Sequence, residues 1–167
     1  MIAIRQKTAA AMGWLVPALF LLFPLAMGLS NVVLLLVLIG FAVTFNAGYL
    51  KRETWSWPAI WLMALFVVVL IGTLYTPAPW HWVSVNLSKY AKFVYAVVLM
   101  LLFARFPQWQ KRALWAFVTA MLFVLASTWL NVWLVLPWSA TKTPGWGLSH
   151  HVFGDYITQN VMVSFLV

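Results

Sequence analysis

Acidic side chains and cysteine are the scarcest features of this 167-residue sequence. Glu53 and Asp155 are the only acids, against ten lysines and arginines, and there is no cysteine. The lack of cysteine excludes disulfides, thiol chemistry and thiolate metal ligands within the chain. Two carboxylates argue against both a carboxylate-bound Mg²⁺ site and the paired carboxylates of a glycosidase. Walker A, GxGxxG, HExxH and GxSxG motifs are also missing, so no ATP-binding loop is visible.

Charge of either sign is scarce, and this decides the class of protein. Only 7% of the residues are charged and 65% are hydrophobic, with a mean hydropathy of +0.97. A soluble domain carries about 25% charged residues. Too little polar surface is left to cover a soluble globule or to keep a disordered chain in water. The sequence therefore predicts an integral membrane protein.

The basic residues give a net charge of +8, which in a soluble protein would suggest nucleic-acid binding. Here they lie in short clusters between long apolar runs, as the positive-inside rule leads one to expect. We therefore predict that the chain is surrounded by membrane lipids and binds no nucleic acid.

Five apolar runs reach the roughly 20 residues that a helix needs to cross about 30 Å of hydrocarbon. They do not alternate apolar and polar residues, as the strands of a membrane β-barrel would. The predicted fold class is all-α: a polytopic helical membrane protein with five complete transmembrane helices and the start of a sixth. The predicted spans are residues 12–29, 32–50, 57–75, 83–106, 113–138 and, incomplete, 157–167. A turn at Gly28–Asn31 is predicted between the first two spans.

The sixth run is too short to span and stops within apolar sequence at Val167. We interpret residues 1–167 as a single transmembrane region that is the N-terminal portion of a longer protein. The alternative is a short chain whose last segment is re-entrant or interfacial.

The distribution of basic residues predicts the orientation of the chain. With the N-terminus inside, the outer segments hold only Lys89, Lys92 and Lys142. The inner segments hold the other seven, which are Arg5, Lys7, Lys51, Arg52, Arg105, Lys111 and Arg112. The loops at residues 76–92 and 139–156 are then predicted to face outward, toward a periplasm in a Gram-negative organism.

Lys89 and Lys92 lie where the fourth span is predicted to enter the membrane from outside, against the positive-inside bias. With Asn86 they are spaced i, i+3, i+6, which on a helix makes one polar stripe. A cationic stripe at the headgroup level can bind a phosphate or pyrophosphate. The alternative is that both lysines merely snorkel to the interface, and spacing alone favours this alternative.

The last outer loop carries further polar side chains. His150 and His151 are adjacent and point in different directions, which is poor spacing for metal ligands, so no metal site is predicted. Asp155 is interpreted as the N-cap of the last helix, with Gln159 and Asn160 lining a polar interior. The alternative is that Asp155 or a histidine acts as general base toward a hydroxyl acceptor.

Seven tryptophans lie near the predicted span ends. We interpret them as an aromatic belt rather than a sugar-stacking site. They are Trp55, Trp57, Trp80, Trp82, Trp109, Trp138 and Trp146.

The order of these features carries a family resemblance. Short spans come first, then an outer Pro/Trp loop that runs into LSKYAKF at residues 87–93. A basic inner loop follows, and then an outer loop that leads into HHVFGDYITQN at residues 150–160. This order resembles the N-terminal portion of the O-antigen ligase and O-antigen polymerase family of bacterial inner-membrane proteins.

The resemblance implies a membrane glycosyltransferase of about a dozen helices, with a cytoplasmic N-terminus and its reaction on the periplasmic side. The donor is a glycan on undecaprenyl pyrophosphate. Ligases transfer it to the lipid A core in lipopolysaccharide biosynthesis, whereas polymerases extend a growing glycan. Neither a metal nor a nucleotide sugar nor another cofactor is implied.

The resemblance also implies roles for individual residues. Lys89 matches by position the family's basic residue that meets the donor pyrophosphate, and Lys92 is a weaker match. The catalytic residues are expected downstream of Val167, because His150 and His151 do not match the family's loop histidine.

Two other functions stay open from the residues alone. One is a transporter, such as a lipid-linked glycan flippase, which needs a polar path through the membrane; Asn46, Thr128 and Asn131 are its candidates. The other is a small membrane adaptor whose helices only pack.

Overall fold

The structure is a computed structural model that describes residues 2–46, 49, 51, 54–142, 151–153 and 156–164. All regular secondary structure in these residues is helical, which confirms the predicted all-α class for this part of the chain. The helices are α1 (Ile2–Leu25), α2 (Met27–Thr44), α3 (Trp57–Thr73), α4 (Trp80–Arg105), α5 (Pro107–Trp133) and α6 (Tyr156–Ser164).

Four of these helices are long and apolar enough to cross a membrane: α1 over Ile4–Leu25, α2, α4 and α5. The remaining predicted complete span, residues 57–75, is α3, an apolar helix of 17 residues. At 1.5 Å per residue it covers about 26 Å, against about 30 Å of hydrocarbon. The described residues therefore contain four helices of spanning length, and the predicted five complete spans are not confirmed.

Several helix ends differ from the ends of the predicted spans. Helix α1 begins at Ile2 rather than at residue 12, and α2 ends at Thr44 rather than at residue 50. Helix α5 begins at Pro107 and ends at Trp133, instead of covering residues 113–138. Helices α1 and α5 begin earlier because hydropathy marks where a helix can meet lipid, whereas the helix itself continues through basic residues that favour helical structure.

The predicted basic inner loop at residues 105–112 is not a loop. Phe106 alone separates α4 from α5, and its backbone is extended (φ −130°, ψ 71°). The reason is Pro107, because the ring of a proline disfavours helical geometry in the preceding residue. Pro107 is the first residue of α5. Proline has no backbone N–H, and at this position a helix has no carbonyl partner for one, so no hydrogen bond is lost.

The chain forms two compact units, residues 1–40 with 109–167 and residues 41–108, and each is described by itself. In the first unit, α1 and α2 form an antiparallel hairpin that turns at Ala26, two residues earlier than the predicted turn. Ala26 N donates to Leu22 O at 2.7 Å, and Ser30 N donates to Ala26 O at 2.9 Å, so helical hydrogen bonds reach into the turn from both sides. Pro24 lacks the N–H that would continue α1, which favours a break here.

Close packing in the first unit depends on two glycines. A Cβ on Gly40 of α2 would lie 2.7 Å from Met12 Sδ of α1. A Cβ on Gly13 would lie 3.1 Å from Trp109 Nε1 of α5. Both partners are buried, so α1 packs closely against α2 and the start of α5, and a larger side chain at either glycine would require its partner to shift.

In the second unit α3 packs against α4, and an aromatic cluster follows the end of α2. Ser56 caps α3 by accepting from Ala59 N at 3.4 Å. Tyr49 packs edge-on against Phe41, with 5.1 Å between the ring centroids, and the Arg105 guanidinium lies 5.1 Å from the Tyr49 ring centroid. The end of α4 therefore lies beside the segment that joins α2 to α3.

Candidate functional site

The candidate site is the outer stripe, which we define as Asn86, Lys89 and Lys92 and name after the side of the membrane on which the sequence predicts it. All three residues lie on α4 and all three are exposed, as the i, i+3, i+6 spacing predicts. Asn86 Nδ2 donates to Trp82 O at 2.9 Å, which fixes the side-chain amide against its own helix. Asn86 Oδ1 then accepts from Lys89 Nζ at 3.4 Å.

These contacts orient one cation and leave its charge unneutralised. An amide oxygen offers a partial negative charge only, so the Lys89 ammonium keeps its full charge and two of its three donor hydrogens. Side chains three residues apart on a helix have Cβ atoms about 5–6 Å apart, which brings the two ammonium groups within reach of one anion. The outer stripe can therefore bind a phosphate or a pyrophosphate as a pair of point charges.

An aromatic pair flanks the outer stripe. Tyr90 and Phe93 have ring centroids 5.8 Å apart, and Tyr90 is exposed. Two nearby hydroxyls are already used by the helix, since Ser84 Oγ donates to His81 O and Ser88 Oγ donates to Val85 O. The lysines and the Asn86 amide thus form the polar part of this face.

A second polar cluster lies at the C-terminal end of α5 and was not predicted as a unit. Asn131 is completely buried. Its Nδ2 donates to Thr141 O at 3.1 Å, and its Oδ1 accepts from Leu136 N at 2.9 Å. Lys142, one of the three lysines predicted to lie outside, donates to Pro137 O at 2.9 Å. Asn131 and Lys142 therefore hold the backbone that follows α5.

Gln159 of α6 joins the same cluster. Its Nε2 donates to Thr128 Oγ1 at 3.1 Å, and its Oε1 accepts from Val152 N at 3.0 Å. Gln159 is buried, as predicted, whereas Asn160 is exposed and does not line an interior. An amide has one donor and one acceptor end, so Gln159 can tie α5 to the loop before α6.

Residues that follow α5 and residues that precede α6 pair with each other. Ala140 N donates to Val152 O at 3.0 Å and Thr141 N donates to His151 O at 3.2 Å. His151 N in turn donates to Thr141 Oγ1 at 3.1 Å. This pairing connects residues far apart in sequence, so spacing alone could not reveal it. It gives the second cluster a structural role, namely to hold both ends of the loop together.

Several predictions fall on residues outside those described. The N-cap and general-base interpretations of Asp155 are among them, as are His150, Trp146, Arg52 and Glu53. Among the residues that the structure does describe, no group of three or more His, Cys, Asp or Glu side chains could hold a metal.

The predicted aromatic belt is only partly present. Trp57, Trp80, Trp82 and Trp138 are exposed near helix ends, as a belt requires. Trp109 is instead buried against Gly13. The half-buried Trp55 donates from Nε1 to Tyr49 O at 3.0 Å.

The described part of the chain forms an α-helical fold in which four helices are long and apolar enough to cross a membrane, as in an integral membrane protein. Comparisons with family models, with curated proteins and with solved structures found no match.

Proposed function

We propose that this chain belongs to a membrane glycosyltransferase of the O-antigen ligase or polymerase type, and that the outer stripe binds the donor's pyrophosphate. The observation that carries the proposal is the exposed stripe itself. Lys89 is oriented by Asn86 and keeps its charge, with Lys92 beside it on the same helix face. The donor is a glycan on undecaprenyl pyrophosphate, and the acceptor is the lipid A core or a growing glycan.

The chemistry needs a cation at this place. Transfer breaks the bond between the anomeric carbon and a pyrophosphate oxygen, and a bond to an acceptor hydroxyl oxygen forms as that hydroxyl loses its proton. The lipid pyrophosphate leaves with the bonding electrons, so its negative charge grows in the transition state. Fixed ammonium groups stabilise such charge without a metal. The residues that activate the acceptor are proposed to lie downstream of Val167.

The sidedness of the proposal follows from charge. We propose that the chain crosses the bacterial inner membrane several times, with a cytoplasmic N-terminus and the outer stripe on the periplasmic side. Seven of the ten basic residues then lie inside, as the positive-inside rule requires.

The three residues that could line the polar path of a transporter have the following places in the structure. Asn131 and Thr128 have hydrogen-bond partners within the second cluster. Asn46 lies beyond the end of α2 rather than within a helix. These contacts support a packing role for Asn131 and Thr128, and a transporter stays the alternative proposal.

Replacing Lys89 tests the proposal. Lys89→Ala removes a charge-assisted hydrogen bond of about 1.5–3 kcal/mol, which corresponds to roughly ten- to a hundred-fold less glycan transfer. Lys89→Arg keeps the charge and should retain part of the activity. The assay is transfer in membranes from a lipid-pyrophosphate donor at matched protein levels.

Lys111→Ala is the matched control, because it removes one lysine from a different helix and should leave transfer unchanged. Near-normal transfer by Lys89→Ala would contradict the donor-binding role. It would mean that Lys89 only snorkels to the interface.

A further inference from the structure

Where α1 contacts the start of α5, a basic side chain and an aromatic side chain lie close together. Trp14 lies two residues after the start of the first apolar run, and Arg112 lies directly before the apolar run of α5. The Arg112 guanidinium lies 6.0 Å from the Trp14 ring centroid. The positions at which the apolar runs of α1 and α5 begin therefore lie beside each other, although the two helices are distant in sequence.

Trp14 is an exposed anchor rather than a core residue. It is 76% exposed, while Met12 and Gly13 beside it are buried against α2 and α5. A cation held over an exposed indole is a favourable arrangement at a membrane interface, where the ring meets lipid and the charge meets headgroups.

Further side chains complete this surface. Lys7 is seven residues before Trp14, which puts it on the same face of α1, about 10 Å along the axis. The exposed residues between them are Ala10 and Ala11, whose small side chains leave space above the helix. Trp115 is three residues after Arg112 and 63% exposed, so it extends the aromatic wall toward the apolar part of α5.

We propose that this surface, the basic junction, binds the headgroup phosphate of an anionic phospholipid. The junction is defined as Lys7, Trp14, Arg112 and Trp115. Arg112 and Lys7 bind the phosphate oxygens, and the two indoles pack against the glycerol and the upper acyl chains.

Charge complementarity identifies the ligand. The chain has a net charge of +8 and only two acidic side chains, so most of its cations can have no carboxylate partner within the chain. The cations of the junction lie where two apolar runs begin, which is the level of lipid phosphates. An anionic lipid supplies both the missing negative charge and an apolar part that matches the exposed tryptophans.

Lipid binding by the purified protein tests this inference. The protein is reconstituted in phosphatidylcholine nanodiscs with increasing phosphatidylglycerol, and the bound lipid is measured by native mass spectrometry and by the shift in unfolding temperature. Arg112→Gln should weaken phosphatidylglycerol binding about five-fold or more. Trp14→Leu should weaken it to a lesser extent, and inorganic phosphate alone should not shift the unfolding temperature.

Lys111→Gln is the matched control, since it removes the same charge one residue away on a different face of α5. Equal weakening by Lys111→Gln and Arg112→Gln would overturn the inference and leave only diffuse surface attraction. Arg112→Lys keeps the charge but loses the planar guanidinium, so it should still weaken binding. Unchanged binding by Arg112→Lys would also contradict the site, and this variant serves if the glutamine variant does not fold.

Discussion

Two asparagines that look alike in the sequence have different roles in the structure. Asn86 is exposed and orients Lys89, and this relation could be predicted because it depends only on helical spacing. Asn131 is buried and holds the loop after α5, with partners that no local pattern reveals. From the sequence alone, a polar residue in an apolar helix could line a polar path or hold the packing of the fold. Only the contacts of that residue in the structure distinguish the two roles.

The buried asparagine provides a stability prediction at this scale. Asn131→Ala leaves the buried Leu136 N–H without its acceptor, whereas Thr141 O keeps the Ser139 hydroxyl as a donor. One unsatisfied buried group costs about 1–3 kcal/mol, so the free energy of unfolding should fall by that amount. Reversible unfolding in detergent micelles measures it.

The control for this prediction is Thr119→Ala, which removes a hydroxyl that bonds only to Trp115 O of its own helix and is exposed. Its effect should stay within about 0.5 kcal/mol. Equal losses in the two variants would show that the loop contacts of Asn131 do not stabilise the fold.

At the scale of whole helices, the number of apolar runs was predictable and their ends were not. Each of the five apolar runs and the short sixth falls on one of the helices α1–α6, but only four of the described helices reach spanning length. The ends depend on local chemistry that hydropathy does not measure, such as Pro107 after Phe106. The sequence also did not reveal which helices pack together. The contact of Gly40 with Met12, for example, can be predicted only once the hairpin of α1 and α2 is known.

That contact provides a second stability prediction. Gly40→Val places side-chain atoms where Met12 Sδ already lies within 2.7 Å of a Cβ, so α1 and α2 must separate or repack. Overpacking of this kind costs typically about 1–3 kcal/mol. Gly28→Val is the control on the same helix, since a Cβ there has open space within 4 Å. In micelles, the free energy of unfolding of Gly40→Val should be lower than that of Gly28→Val by this overpacking cost. Equal free energies of unfolding would contradict the close α1–α2 contact.

At the scale of the whole molecule, each of the two units holds an arginine over an aromatic ring. In residues 41–108, Arg105 lies over Tyr49, close in sequence to Lys51. Burial raises the pKa of the Tyr49 phenol, and the positive charge of Arg105 acts in the opposite direction. In the other unit, Arg112 lies over Trp14, and α1 continues from there toward Lys7. The orientation that charge counting predicts stays a prediction, and cysteine labelling can test it.

Sidedness is the central claim, because the outer stripe can meet a periplasmic donor only if α4 begins on the outer side and α5 therefore begins on the inner side. Helix α5 is about 40 Å long by its 27 residues, so its two ends must lie on opposite sides if it spans. The chain has no cysteine, so a single introduced one is the only thiol. Gln108 at the start of α5 and Ala140 beyond its end are both exposed, whereas the neighbouring Ser139 is buried.

The most direct measurement is labelling of Gln108→Cys and Ala140→Cys in intact cells with a membrane-impermeant maleimide, followed by labelling after permeabilisation. The account predicts that Ala140→Cys reacts from outside and that Gln108→Cys reacts only after permeabilisation. Labelling of Gln108→Cys in intact cells, with Ala140→Cys protected, would reverse the orientation and contradict the donor site on α4.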